Sequence, residues 1–282
     1  MKDENIQPNA LLWISPIVPD YGTVLEIVKP RLVVADLIDD QRLFPGSSKR
    51  YREQAAKGYE AILRDADVVF TNCEPLKTAF NSFRPDIHVV PNGCDILLRD
   101  IIPDTHVARL PRPIIGYVGN LRDRINLPLL ERIAKTYPDG SIVLVGSAHG
   151  RPEVNDLAAR NPNIKLLGVK PYEQAVSIIK AFDVAIMPHL RNEQTDHMNP
   201  LKLYVYFAAG APIVTSEVAN INDLASHIQI ARDDDDFLAN LASVLRGKTS
   251  GPEESSRQDI IENLSWARRV DAIWRVLARP RG

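Results

Sequence analysis

The sequence predicts an α/β protein made of two doubly wound parallel sheets, and three observations carry that prediction. Short apolar runs rich in β-branched residues alternate with stretches of helical composition, as parallel strands joined by crossover helices require. A segment with two prolines, Ile101–Arg112, interrupts the alternation and reads as a linker between domains. The length of 282 residues, with 45% hydrophobic and 25% charged residues, is sufficient for two separate cores.

Taken in order, Ala10–Ile14 is a short apolar run closed by Ser15 and Pro16, a strand opening into a loop. Tyr21–Lys29 is a helix and Arg31–Ala35 a second strand, which runs into Asp39 and Asp40. Carboxylates beyond a strand's C-terminal end stand where open α/β sheets hold their ligands, although either could simply cap the following turn. Tyr51–Asp65 has helical composition interrupted by Gly58, Asp67–Thr71 is a third strand, Glu74–Phe80 begins a helix, and His88–Pro91 is a fourth strand turning at Asn92 and Gly93. These predict a parallel sheet for the first domain.

The second domain starts at the strand Ile114–Val118. Gly119, Asn120, Arg122, Asp123 and Arg124 follow, then a helix over Leu127–Tyr137. A strand, a glycine, a basic loop and a helix N-terminus form a phosphate-binding layout; two surface arginines flanking Asp123 are the plainer reading. Ser141–Val145 is the next strand, ending at Gly146, and Asn163–Leu167 leads another into Gly168. Asp183–Pro188 is a buried strand delivering His189 to the rim of a cleft. His189–Met198 is a polar loop, Ile221–His227 a helix, and Ile228–Ala231 a strand. The run Asp233–Asp236 precedes the amphipathic helix Phe237–Arg246, so capping explains it better than a metal. Lys248–Ser256 is a loop. In Ser265–Ala278, Trp266, Val270, Ile273, Trp274 and Leu277 recur at helical spacing, with arginines on the remainder. Two tryptophans on one stripe favour core packing there over a helix lying on a membrane.

The stretch Asn199–Ser216 carries the most chemistry. Asn199 suits the cap position of a helix and Pro200 its first residue, while Gly210 and Pro212 stop the helix ahead of the strand Ile213–Thr215. Leu201, Leu203, Tyr204, Phe207 and Ala208 supply the apolar face. Lys202 is left in the first turn, beside the positive end of the helix dipole, an unfavourable place for a cation unless an anion lies between them.

That stretch, PLKLYVYFAAGAPIV, resembles the donor-site helix of two-domain GT-B-type glycosyltransferases, particularly the family-4-like enzymes of bacterial surface-polysaccharide synthesis. VVPNGCD resembles the segment that closes their first domain, and the order of the remaining motifs is similar from about Leu12 onward. The resemblance implies two Rossmann-like domains: residues 1–108 on the acceptor side, with the helix at 266–282 packing back onto it, and residues 109–265 binding the donor. It implies transfer of a sugar, of the hexosyltransferase type, from a nucleotide-diphosphate donor to a polysaccharide or lipid-linked acceptor. By the same resemblance Lys202 meets the donor phosphates, helped by Arg122 or Arg124. Gly119, Asn120, Gly146, His189, Asp196, His197, Asn199, Pro200, Leu201 and Val205 line the donor site, and Asp39 or Asp40 positions or deprotonates the acceptor hydroxyl. No metal or other cofactor is implied. Two departures stand out. Val205 occupies the position of the glutamate that grips the ribose, with His197 at the position of its partner glutamate. About three βα units that precede the first strand in relatives are absent, so either the sequence is a fragment of a longer protein or its first domain is reduced and pairs with something else, such as a partner chain.

Charge and cysteines limit the alternatives. A net charge of −2 exerts no global pull on nucleic acid. Cys73 and Cys94 have no metal-ligand spacing and suit a reducing cytoplasm. No apolar run is long enough to span a bilayer and MKDENIQPN has no signal-peptide core, so a cytoplasmic protein is expected, with peripheral contact at the inner membrane face as an added option. No strand is followed by G-x-G-x-x-G, which removes a nicotinamide-dependent oxidoreductase. The remaining rival is a non-catalytic nucleotide-sugar-binding or assembly protein.

Overall fold

The computed structural model describes residues 10–15, 20–44, 46–217, 220–221, 223–247 and 254–279. They form two compact units. One comprises the described residues up to Pro91 together with Asp196–Asn199 and those from Val270 on, and the other comprises Asn92–Thr195 and Pro200–Arg269.

In the first unit, β1 (Leu11–Ile14), α1 (Tyr21–Val28), β2 (Leu32–Leu37), α2 (Lys49–Asp65), β3 (Val68–Thr71), α3 (Glu74–Phe80) and β4 (Ile87–Val89) alternate as the sequence predicts. The four strands are parallel in the order β1-β2-β3-β4, with Leu11 opposite Leu32, Val34 opposite Val68 and Val69 opposite Ile87. Alternation along each strand gives the sheet two apolar faces. Val33, Ala35, Leu37, Val69 and Ile87 pack under Tyr21, Tyr59, Ile62, Leu63, Leu76 and Phe80 of the three helices. On the other face, Val34, Val68 and Phe70 meet Ile273, Val276 and Leu277. Ser48 caps α2 by accepting from the Tyr51 N–H at 3.2 Å, and Gly58 is carried inside that 17-residue helix.

The second unit contains β5 (Ile114–Val118), α4 (Leu127–Thr136), β6 (Ser141–Val145), α5 (Pro152–Arg160), β7 (Ile164–Gly168), α6 (Tyr172–Ile179), β8 (Val184–Met187), α7 (Glu193–Asp196), α8 (Leu201–Ala208), β9 (Ile213–Ser216), β10 (Gln229–Ala231), α9 (Asp234–Leu245) and α10 (Glu254–Asn263). Asp196, the last residue of α7, groups with the first unit. The parallel sheet runs β10-β9-β8-β5-β6-β7, so β5 is central and the strand order reverses beside it. The Phe182 ring occupies the space a Cβ on Gly116 would need. The last helix, α11 (Trp266–Leu277), begins where the Arg269 guanidinium donates to the Asn92 carbonyl at 3.1 Å and to Asp223 at 2.6 Å.

Several elements differ from the sequence reading. Residues 92–108, read as the end of the first domain, group with the second unit: Leu98 is buried in its core, Lys180 donates to the Leu98 carbonyl at 2.9 Å, and Ser177 donates to the Ile102 carbonyl at 2.7 Å. Pro200, not Asn199, is the cap residue of α8, and no side chain caps that helix. The helices α5 and α10 and the single turn α7 lie in segments read as loop or left unassigned. Only a short 3₁₀ turn, Ala225–His227, stands where a helix over Ile221–His227 was expected; residue 222 and residues 248–253 of the predicted Lys248–Ser256 loop lie outside the described residues. Asp233 caps α9 by accepting from the Asp236 N–H at 2.9 Å.

The largest correction concerns α11. No residue of this helix is fully buried, and Trp266, Val270 and Trp274, expected in the core, are exposed. Ile273, Val276 and Leu277 alone satisfy the packing against the sheet, leaving the tryptophan stripe outside it.

Candidate functional site

The C-terminal ends of the parallel strands β5, β6 and β8, together with the first turn of α8, bring one group of side chains together in the second unit. At the end of β5 the chain turns through Gly119 at φ +148°, and at the end of β6 through Gly146 at φ +138°, conformations that side chains rarely permit. The two turns are pressed together. The Gly119 N–H donates to the Val145 carbonyl at 2.9 Å, Leu121 N–H to the Ser147 carbonyl at 2.9 Å, and a Cβ on Gly146 would lie 1.9 Å from the Gly119 carbonyl oxygen. The result is a bare backbone surface beside the C-terminal end of the sheet, where open α/β folds take ligands.

Lys202 lies across this surface. Its ammonium is 5.5 Å from the centroid of the Tyr117 ring, and a Cβ on Gly119 would stand 2.9 Å from the lysine Cε. Helix α8 is held in this place by Tyr206, whose hydroxyl accepts from the Val118 N–H at 2.7 Å and donates to the Val118 carbonyl at 3.0 Å. Burial, reinforced by the nearby Arg124 guanidinium, lowers the Lys202 pKa to about 7. Among the described residues no carboxylate pairs with it.

His189, which the sequence places at the exit of a buried strand, is only 2% exposed. Leu190 N–H donates to the Arg124 carbonyl at 2.7 Å and Asn126 N–H to the Pro188 carbonyl at 2.9 Å, which folds the loop after β5 over the exit of β8 and encloses the imidazole. The Tyr117 hydroxyl donates to the Asn120 carbonyl at 3.2 Å, and His189 Nε2 lies 3.4 Å from that hydroxyl. His189 Nδ1 is buried without a hydrogen-bond partner among the described residues. Burial first, then Lys202 and Arg124, hold the imidazole well below the usual histidine pKa, so it is neutral.

The two candidate arginines separate. Arg124 is half-buried and acts electrostatically on Lys202, His189 and Tyr117. Arg122 is exposed. Asp123, which would have neutralised both in the plainer reading, instead pairs with Arg151 at 3.0 Å. Asn120 is exposed, Pro200 is buried, Leu201 is exposed, and Val205 packs its half-buried side chain against the core.

The remaining sequence candidates belong to the first unit. Asp196, His197 and Asn199 group there, Asn199 being buried. Asp40 is 4% exposed and fully engaged: Arg42 Nε and Nη2 donate to its two oxygens at 2.9 and 2.7 Å, and it caps the 3₁₀ turn Gln41–Leu43. That is the capping alternative. Asp39 is half-buried, with its carbonyl accepting from the Tyr59 hydroxyl at 2.7 Å. Tyr117 and Tyr206, which fix the lysine, were not singled out in the sequence, because an aromatic inside a strand or helix reads as core. No cluster of three or more His, Cys, Asp or Glu side chains that could hold a metal occurs among the described residues.

Residues 112–246 match the family described as "Glycosyl transferases group 1". TuaH of Bacillus subtilis strain 168, a protein named for glycosyl transfer in teichuronic acid biosynthesis, is 23% identical over 193 residues, covering 65% of this chain and 48% of its own. The chain thus spans about half the length of the curated relative it matches. Among solved structures, a sucrose-phosphate synthase from Thermosynechococcus elongatus superposes with TM-score 0.72 at 16% identity, over 95% of this chain and 73% of that one. Anabaena HepE, solved in complex with UDP-glucose, superposes with TM-score 0.69 at 17% identity, over 91% of this chain and 75% of its own. These likenesses establish the fold, a pair of Rossmann-like parallel sheets of the GT-B type. A parallel sheet ending in a bare glycine surface, matched over residues 112–246, makes that segment a glycosyl transferases group 1 domain.

Proposed function

We propose that this protein transfers a sugar from a nucleotide-diphosphate donor to a polysaccharide or lipid-linked acceptor on the cytoplasmic side of a membrane. The observation that carries the reading is Lys202, a half-buried lysine that no carboxylate among the described residues pairs with, set against a glycine backbone and within the electrostatic influence of Arg124. A lysine so placed favours an anion beside it, and a diphosphate is an anion of suitable charge and reach. Lys202 and Arg124 then stabilise the charge that develops on the leaving diphosphate as the glycosidic bond of the donor breaks. His189 Nδ1 offers an acceptor for a hydroxyl of the donor. Asp39, half-buried just beyond the end of β2, orients or deprotonates the acceptor hydroxyl. Asp196, His197 and Asn199 are further candidates for contact with the donor sugar.

Calorimetry with UDP, GDP and their sugars tests the reading. Micromolar-to-millimolar binding that disappears in Lys202→Ala supports it, and no binding of any nucleoside diphosphate removes it. Consumption of the donor with a membrane extract as acceptor separates transfer from binding alone.

A further inference from the structure

Strand β1 is an outer strand of the first unit's sheet, and Leu11 and Trp13, two residues apart on one of its faces, are each 41% exposed. Trp13 stands opposite Val34, and Asp36 follows Val34 two residues along β2, so indole and carboxylate share that face. Direct contacts join them. The Trp13 ring stacks on Phe70, with centroids 5.7 Å apart and planes 9° from parallel, and its N–H donates to Asp36 Oδ2 at 3.3 Å. An indole supported on one face by another ring, and still well exposed, offers its second face to solvent. Asp36 is half-buried, and the indole N–H is its one side-chain hydrogen bond among the described residues, where a carboxylate can accept about four. Burial raises its pKa, and the indole bond opposes the shift.

We propose that Trp13 and Asp36 form a binding site for a neutral saccharide, with the open indole face under a pyranose ring and the carboxylate accepting from its hydroxyls. A pyranose with equatorial substituents has the matching division of chemistry, C–H bonds on its flat faces and O–H donors around its edge. The π face attracts the polarised C–H bonds and the stack removes apolar surface from water. A hydroxyl donated to a carboxylate makes a charge-assisted hydrogen bond. The charge chooses among ligands. A phosphate or a uronate would set its own anion against Asp36 in a half-buried place, so a nucleotide or an acidic sugar is disfavoured. A purely apolar partner would leave the carboxylate with unmet bonding capacity. The site lies wholly in the first unit and uses none of the residues assigned to the donor or to the acceptor hydroxyl, so it stands whether or not Lys202 binds a diphosphate.

Titration of the full chain with cellopentaose and chitopentaose, neutral chains of equatorially substituted pyranoses, tests this by ligand-observed saturation-transfer NMR and by the indole N–H resonances of the protein. Saturable, salt-independent binding of at least one of them is expected, with a shift of the Trp13 resonance, identified by its loss in Trp13→Ala, and no binding of pentagalacturonate. Trp13→Ala is expected to weaken binding about tenfold, and Asp36→Asn about fivefold, the gap between a charged and a neutral hydrogen bond. Asp36→Asn keeps the shape of the side chain, so it tests the site even where Trp13→Ala unsettles β1. Both variants should retain the wild-type affinity for UDP, which keeps this test separate from that of the Lys202 site. Failure of both neutral saccharides to bind, undiminished binding by Asp36→Asn, or equal binding of pentagalacturonate overturns the proposal. So does a concentration-dependent dimer abolished by Trp13→Ala without saccharide binding, which would make a second copy of the chain the occupant.

Discussion

The Lys202 ammonium stands 5.5 Å over the Tyr117 ring, and the nearby Arg124 guanidinium acts on it as a like charge. This arrangement is unfavourable for the empty protein. Lys202→Met, which keeps the stem and removes the amine, is therefore expected to raise the melting temperature while abolishing nucleoside-diphosphate binding. A residue retained for stability alone would lower both. The pH dependence has a definite sign. The folded amine titrates near 7 and the unfolded one near 10.5, so between those values the unfolded chain holds more protons. The burial penalty is complete below about pH 7 and is relieved as pH rises toward 10.5. The stability advantage of Lys202→Met over the wild type should therefore shrink across that window, as denaturant titrations at several pH values would measure.

Binding should take up a proton. At pH 8 the empty site holds a mostly neutral amine, whereas a diphosphate beside it favours the ammonium. Calorimetry in buffers of different ionisation enthalpy is expected to report an uptake approaching one proton at pH 8, smaller at pH 6 and absent in Lys202→Met. Affinity should fall as pH rises above 7.

The arginines are predicted to differ. Arg124→Ala should weaken UDP binding by roughly tenfold or more, the range of a charged hydrogen bond, and should raise the Lys202 pKa by removing a like charge. Arg122→Ala should change affinity less than about twofold, as expected of an exposed residue. Titration of both variants under identical conditions checks the contrast.

Gly146 allows no side chain. A methyl group there would enter the Gly119 carbonyl while φ stays at +138°, so Gly146→Ala should destabilise by roughly 1–3 kcal/mol and loosen the adjacent turn. Chemical denaturation measures the first effect, and UDP titration of the still-folded fraction measures the second.

Val205 tests the ribose contact. Val205→Glu is expected to tighten UDP binding by about tenfold, the value of one charged hydrogen bond, without changing affinity for inorganic pyrophosphate, which has no ribose. Paired titrations of the two ligands decide it.

The strands were legible because parallel strands buried on both faces are continuous apolar runs, and Ser141–Val145 lies where its composition predicts. The place of Lys202 in the first turn of α8 was legible from the Pro200 and Gly210 that bound the helix. The choice between Arg122 and Arg124 was not legible, because it depends on which side of one turn faces the lysine and on Arg151, remote in sequence, engaging Asp123. The enclosure of His189 was not legible either, because the bridge that covers it joins it to Ile125, again a non-local pairing. The α11 stripe misled for the opposite reason: helical spacing identifies an apolar face but not what covers it.

The paired hydrogen bonds between the Tyr206 phenol and Val118 give a helix side chain the role of a neighbouring strand. They fix the register of α8 against β5, so the helix turn that carries the amine and the strand end that carries the glycine backbone are tied to each other directly, through one side chain.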